Sequence, residues 1–162
     1  MKIQDVMSRE VVTCHPWDSM GSAVRRMWEA DVGCLPVVDA DGRVVGMVTD
    51  RDLLMSTWFQ GQRLDELAVD GAMAHRVQGC RPDEAVERAL ERMSTHQVRR
   101  LPVLDDEGRP LGVVSLNDVA RRCDASGRPR NKSVVHTLAQ VCAPRARELA
   151  CRAPGGELAA SS

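Results

Sequence analysis

Residues 7 to 54 of this chain recur as residues 73 to 120 at a constant offset of 66 positions, without a gap. Seventeen of the 48 pairs are identical, among them Met7/Met73, Pro16/Pro82, Pro36/Pro102, Gly46/Gly112 and Asp52/Asp118. A repeat of this length means two copies of one supersecondary unit packed on each other. A unit of about 55 residues rarely buries enough core to stand alone, whereas roughly 150 residues bury about 68–70% of their unfolded surface. The copies are therefore expected to form one cooperative module. Any site built from repeated residues is expected twice, near a pseudo-twofold axis.

Each copy reads β-α-β-β-α. A short extended stretch, Val11–Thr13 or Val77–Gly79, leads to Pro16 or Pro82, and Asp18 or Asp83 offers a helix start. The helix that follows places Met20, Ala23, Val24 and Met27 on one stripe, matched by Val86, Ala89, Leu90 and Met93. That i, i+3, i+4, i+7 spacing marks an apolar face, with Arg25, Arg26 and Glu29 or Glu87, Arg88, Glu91 and Arg92 opposite. Next come LPVVD (35–39) and LPVLD (101–105), short enough for buried strands. Asp41-Gly42 and Glu107-Gly108 then turn into VVGMVT and PLGVVS, a hairpin signature. A second helix follows each hairpin, at Asp50–Trp58 and Leu116–Cys123. The segment Phe59–Asp70 links the copies and is expected to hold a helical turn near Leu64–Ala68. Asp124–Asn131 reads as a loop and Ser133–Cys142 as an amphipathic helix through Val134, Val135, Leu138 and Val141. Pro144 ends or kinks any continuation. The tail Pro154–Ser162 is expected to be disordered.

Composition excludes several functions. Net charge is −1, from 22 basic and 23 acidic residues, so no global field draws the chain to nucleic acid or an anionic membrane. Three Trp, one Phe and no Tyr supply few stacking platforms for bases. No apolar run reaches membrane-spanning length, and the N-terminus lacks the apolar core of a signal peptide. The six cysteines contain no C-x-x-C pair, and Cys14 and Cys80 are repeat mates, which suits small apolar packing residues in a reduced, cytoplasmic setting. No Walker loop, dinucleotide fingerprint or H-E-x-x-H is present, and His15, His75, His96 and His136 lack partners at catalytic or metal-ligand spacing. Met20, Met27 and Met93 lie on the helix stripes as core residues. Trp17, Trp28 and Trp58 read equally as exposed anchors for a partner or as packing at the unit boundary.

The informative motif is Gly46-Met-Val-Thr49-Asp-Arg51-Asp52 and its mate Gly112-Val-Val-Ser115-Leu-Asn117-Asp118. Each is a buried strand feeding a helix, with a hydroxyl at the N-cap and a carboxylate three residues on. One reading is a capping box, in which the hydroxyl satisfies a free backbone N–H and the carboxylate reaches back. The other is a nucleotide site. A helix N-terminus offers unpaired N–H groups and a positive dipole end to phosphate, and the carboxylate accepts from both hydroxyls of a ribose. Hydrogen bonds to a charged group contribute roughly 1.5–3 kcal/mol each, enough to dominate recognition of the sugar. A cap can also serve a ligand.

These features together resemble a tandem pair of cystathionine-β-synthase (CBS) domains, the Bateman module. The likeness rests on the β-α-β-β-α order, the LPVVD strand, the Asp-Gly hairpin and the G-h-h-[ST]-x-x-D that ends each copy, and it covers about residues 3–123. It implies an α/β (α+β) fold of two β-α-β-β-α CBS units packed with pseudo-twofold symmetry, plus a C-terminal helical extension. The expected divisions are 3–58 for unit 1, 59–70 for a linker, 71–123 for unit 2 and 124–162 for the extension. It further implies two clefts that take AMP, ADP, ATP or S-adenosylmethionine as a regulatory ligand, with no catalytic cofactor and no metal.

By that resemblance, each site joins the hydroxyl/Asp motif of one unit to the first two strands of the other. Site A would comprise Thr49, Arg51 and Asp52 with Gly79, Cys80, Val98, Arg99, Arg100 and Leu101. Site B would comprise Ser115, Asn117 and Asp118 with Thr13, Cys14, Val32, Gly33, Cys34 and Leu35. The adenine would lie between aliphatic side chains and be read by backbone groups of the first strand. Site A gathers three arginines (51, 99 and 100) where site B has Asn117, Gly33 and Cys34, so site A is expected to prefer the more phosphorylated ligand.

The expected function is therefore a non-catalytic, stand-alone ligand sensor, with no enzyme, channel or transporter domain attached. Ligand would shift the relative pose of the units by its differential affinity for the poses. The resemblance also implies a homodimer formed through the helices, with output passing to an unknown protein target. The alternative is a scaffold or interaction protein whose clefts have lost their ligand. A nucleic-acid binder finds little support in charge or aromatics.

Overall fold

The structure is a computed structural model that describes residues 1–126 and 131–144. Its elements run α1 (Met20–Glu29), β1 (Cys34–Val38), β2 (Val44–Thr49), α2 (Asp50–Gln60), α3 (Val86–His96), β3 (Arg100–Leu104), β4 (Pro110–Ser115), α4 (Leu116–Ser126) and α5 (Asn131–Val141). Short 3₁₀ turns occupy Ile3–Asp5, Leu64–Glu66 and Val69–Gly71. The two units are α1-β1-β2-α2 and α3-β3-β4-α4, and each pairs its strands antiparallel with the same bulge, between Val37 and Val38 and between Val103 and Leu104.

The aspartate that closes each LPVVD or LPVLD strand shapes the hairpin. Asp39 Oδ1 accepts from the N–H groups of Asp41 (2.9 Å) and Arg43 (2.8 Å), and Asp105 Oδ1 accepts from those of Glu107 (3.0 Å) and Arg109 (2.7 Å). The N–H of Arg109 above all holds the Asp105 carboxyl below its usual range. Gly42 and Gly108 supply the positive φ (+79° and +83°) that completes each turn. The two turns also meet: Val44 N–H donates to Gly108 O at 2.9 Å. The reciprocal bond is impossible, because the mate of Val44 is Pro110, which has no N–H.

The expected first strands, Val11–Thr13 and Val77–Gly79, reduce to single parallel bridges, Cys14 with Val37 and Cys80 with Val103. Cys14 N–H donates to Pro36 O and Val38 N–H to Cys14 O, and Cys80 repeats this with Pro102 and Leu104. The next ladder bond toward the N-terminus would need an N–H from Pro36 or Pro102, which proline lacks. The helix starts differ as well. Ser19, not Asp18, caps α1 by accepting from Ser22 N–H (3.1 Å), and α3 begins after Ala85 with no side-chain cap. Of the C-terminal readings, residues 127–130 and the Pro154–Ser162 tail lie outside the described residues. Asp124–Ser126 continue α4 as helix rather than opening a loop. On α5 the inward face is Val134, Thr137 and Val141, while Val135 and Leu138 are exposed.

The units share their cores by exchange. Ile3, fully buried, lies in the unit 2 core with Val86, Met93, Leu101 and Val114, and Val6 and Met7 pack against it. Val69 and Met73 lie in the unit 1 core with Met20, Leu35, Val48 and Leu53. The same segments extend the sheets: Ser8 pairs with Val113 of β4, and Ala74 with Met47 of β2. The identical pairs Met7/Met73 and Gly46/Gly112 thereby acquire a cause. A Cβ on Gly46 would meet Met73 Sδ at 2.6 Å and Ala74 O at 3.3 Å, and one on Gly112 would meet Met7 Sδ at 2.9 Å and Ser8 O at 2.7 Å. The glycines admit the crossing segments. A flexible methionine yields to a methyl group more readily than a backbone carbonyl does. Gly112→Ala is thus expected to cost about 1–3 kcal/mol and more than Gly46→Ala in urea denaturation; an equal or reversed order would contradict this packing.

Candidate functional site

Both hydroxyl/Asp motifs form complete capping boxes at the N-termini of α2 and α4. Asp52 N–H donates to Thr49 Oγ1 at 3.2 Å, and Asp52 Oδ2 accepts from Thr49 N–H (3.0 Å) and from the Thr49 hydroxyl (2.6 Å). In the mate, Asp118 N–H donates to Ser115 Oγ at 3.1 Å, and Asp118 Oδ2 accepts from Ser115 N–H (3.0 Å) and hydroxyl (2.5 Å). A carboxylate has about four lone-pair positions. Each box engages Oδ2 twice and leaves Oδ1 outside the cap. Both aspartates are partly buried and fixed in direction by the cap.

The start of β3 reaches unit 1 through Arg100. A Cβ on Gly33 would lie 3.2 Å from Asp50 Oδ2 and 3.6 Å from Arg100 Nη2, so the guanidinium of unit 2 and the first carboxylate of α2 flank the Gly33 backbone. Arg100, expected at site A, therefore sits against Gly33, a site B residue. Asp50, which the sequence reading passed over, stands at this junction. Its Oδ1 accepts from Arg51 N–H at 2.7 Å. No repeat signal marks it, because its mate is the buried Leu116. Leu35, Leu101, Cys34 and Cys14 are core residues, Val98 packs on the unit 2 core, Val32 is open to solvent, and Arg51, Arg99 and Asn117 are exposed.

The first-strand positions are braced from the helices. Arg26 bonds the Thr13 carbonyl (2.8 Å) and the Asp18 carboxylate (2.9 Å), and Asp18 accepts from His15 N–H (2.9 Å). Unit 2 repeats this: Arg92 bonds the Gly79 carbonyl (3.0 Å) and Glu84 (2.8 Å), and Glu84 accepts from Arg81 N–H (2.7 Å). Burial alone would raise the Glu84 pKa, but Arg92 and the Arg81 N–H outweigh it and hold the carboxyl below its ordinary value. With Cys14 and Cys80 committed to the sheets and both carbonyls held by arginine, the N–H groups of Thr13 and Gly79 make no bond within the described residues. Gly79 and Cys80 line a shallow depression of about 410 Å³ with Arg81, Leu104 and Asp105. Thr49, Arg51 and Asp52 do not share that depression.

His15 stacks on Trp17 with ring centroids 4.6 Å apart, and its Nδ1 meets Val38 O at 2.9 Å. Among the described residues no three His, Cys, Asp or Glu side chains are grouped to hold a metal ion, and no helix is long and apolar enough to cross a membrane.

Comparison with known proteins matches the CBS domain at residues 3–57 and again at 68–124. The CBS domain-containing protein YhcV of Bacillus subtilis is 35% identical over 118 residues, covering 73% of this chain and 82% of that protein. Homoserine O-acetyltransferase of Methanohalobium evestigatum is 33% identical over 119 residues, 74% of this chain. The chain spans only 23% of that enzyme's length, and 28% of a second enzyme's. Among solved structures, the CBS domain pair of protein MJ0100, in complex with 5′-methylthioadenosine and S-adenosyl-L-methionine, superposes with a TM-score of 0.70 at 26% identity. The match covers 77% of this chain and 97% of that one.

Cys14, Cys34 and Cys80, which the resemblance assigned to the sites, are packing groups. Burial, followed by the Asp18 carboxylate, pushes the Cys14 thiol up to about 11; burial, followed by Glu84, pushes Cys80 up to about 12. Burial likewise raises Cys34 and Cys123. With thiolate disfavoured, iodoacetamide at pH 8 is expected to leave Cys14, Cys34, Cys80 and Cys123 unmodified in the folded chain and to alkylate exposed Cys142. Above pH 9 the unfolded chain releases these protons before the folded one does. Stability is then expected to fall as pH rises from 9 toward 11, by about 1.4 kcal/mol per unit for each of Cys14 and Cys80. Two lysines and no tyrosine leave little else to titrate there. Flat stability over that range, measured by denaturant titration, would contradict the burial argument.

Proposed function

Because this chain belongs to the CBS-domain family and carries its unit in tandem, we propose that it is a non-catalytic sensor of adenosine compounds. It binds AMP, ADP, ATP or S-adenosylmethionine in clefts between the units. The observation that carries this reading is the pair of capping boxes, each of which fixes a carboxylate through Oδ2 and leaves Oδ1 outside the cap. A fixed acceptor of this kind suits the diol of a ribose, and the helix N-terminus beside it suits a phosphate. The MJ0100 pair, bound to two adenosine compounds at 26% identity, supports the same ligand class.

Site A combines Thr49, Arg51 and Asp52 with Gly79, Cys80, Val98, Arg99, Arg100 and Leu101. Site B combines Ser115, Asn117 and Asp118 with Thr13, Cys14, Val32, Gly33, Cys34 and Leu35. Arg51 and Arg99 are exposed at site A and give phosphate a fork that Asn117 and Gly33 do not. Arg100, drawn toward Asp50 and Gly33, contributes at the border of both. Site A therefore takes the more phosphorylated ligand. The free thiols at Cys14, Cys34, Cys80 and Cys123 suit a reducing cytoplasm.

One observation favours interaction as well as sensing. The helical face of unit 1 exposes Val24, Trp28, Leu54, Trp58 and Phe59, Trp28 to 84% and Trp58 to 79%. In unit 2 the mate of Val24 is Leu90, buried beneath α5, which packs on α3 and α4. An apolar face rich in tryptophan is the composition of an interface. A homodimer joined through the α1/α2 faces is the assembly this supports, with a scaffold role, or output to a protein target, passing through the same surface.

Three measurements test this reading. A nucleotide at 100 times its dissociation constant is expected to stabilise the fold by about 2.7 kcal/mol; no thermal shift with AMP, ADP, ATP or S-adenosylmethionine at millimolar concentration would leave the scaffold. Calorimetry on Asp52→Asn and Asp118→Asn is expected to show ATP affinity falling further in the first, and equal losses would reject the asymmetry. Trp28→Glu with Trp58→Glu is expected to yield a monomer in light scattering, and an unchanged assembly would place the interface elsewhere.

A further inference from the structure

The two carboxylates differ in a way that the repeat conceals. Asp118 Oδ1 accepts from Arg121 Nη2 at 2.6 Å, an ion pair in which the carboxylate is 13% exposed and the guanidinium side chain 80%. Residue 121 has residue 55 as its mate at the same offset, and residue 55 is methionine. Asp52 Oδ1 accordingly accepts nothing among the described residues, while its Oδ2 is bound in the cap as in the mate. Counted in lone pairs, Asp52 has two left for a ligand and Asp118 has one.

We infer that Arg121 sets the sugar specificity of the second cleft: site A demands a ribose with both hydroxyls, and site B tolerates a deoxyribose. This rests on the ribose-clamp reading proposed above and adds to it a difference between its two sites. At site A both hydroxyls of a diol find an acceptor on Asp52. Losing one leaves a charged acceptor unsatisfied. At site B Arg121 already fills one position, so only one hydroxyl gains a bond, and the second must displace a guanidinium to gain another. An exposed ion pair gives way to a ligand. The second hydroxyl therefore exchanges one charged hydrogen bond for another at Asp118, which offsets part of its gain without blocking the cleft.

Calorimetric titration with AMP and ATP and with their 2′-deoxy counterparts tests the inference, comparing the wild-type chain with Arg121→Met. This variant changes an exposed side chain to the residue unit 1 carries at the same place. In the wild type, one site is expected to lose about tenfold or more in affinity on removal of the 2′-hydroxyl, and the other less than about threefold. Arg121→Met is expected to bring the tolerant site to the same tenfold discrimination. Asp52→Asn and Asp118→Asn, which keep a side-chain oxygen for the cap, assign each site. Equal discrimination at both wild-type sites, or no change in Arg121→Met, overturns the inference while leaving the ribose reading intact. Absence of binding by either nucleotide, or affinities unmoved by both Asp→Asn variants, overturns the ribose reading and this inference with it.

Discussion

The exchange of N-terminal segments holds this molecule together. Ile3–Ser8 completes the core and sheet of unit 2, and Val69–Ala74 completes those of unit 1. Neither unit has a closed core without chain that precedes the other. Each crossing requires a glycine on the receiving strand, because the sulfur of Met7 or Met73 and a backbone carbonyl lie where a side chain would stand. The cost of a cavity or an open edge at either crossing falls on both units, which makes the pair a single cooperative body. The relative position of the units, and with it the junction of Gly33, Asp50 and Arg100, follows from this interlock.

Within that frame the capping boxes connect stability to binding. The groups that end each sheet and start each second helix are the ones proposed to meet a ligand, and the cap fixes rotamers that would otherwise be free. Preorganisation of this kind lowers the ordering cost of association. The arginine–carboxylate braces at Asp18/Arg26 and Glu84/Arg92 do the same for the first-strand segments, which have only one sheet bridge each to hold them. Pro36 and Pro102 make that brace necessary, since they stop the ladder that would otherwise fix those residues.

The pseudo-symmetry is strongest in the interior and weakest at the surface. Leu90 and Val24 occupy the same helical position, yet one is buried and the other is not, as α5 packs on α3 and α4 of unit 2. Val44 and Pro110 differ by one hydrogen bond between the hairpin turns. Met55 and Arg121 differ by a charge that reaches a carboxylate. Each difference is small in sequence and decides how one half of the molecule meets its surroundings.

By itself the sequence determined the two-unit architecture, the helix stripes apart from exposed Val24, the hairpins and the four cap residues. All of these depend on neighbours within a few positions or on a constant offset, and both are visible in a linear string. Only the tertiary structure decided that the segments exchange, that the first strands shrink to single bridges, that Ser19 rather than Asp18 caps α1, and that α5 turns Thr137 inward. The same is true of Asp50 beside Arg100 and of Arg121 on Asp118. These outcomes turn on which groups compete for the same donor, acceptor or space once distant parts of the chain meet. A residue pattern carries the capacity for a contact, and the packed fold selects which contact is made.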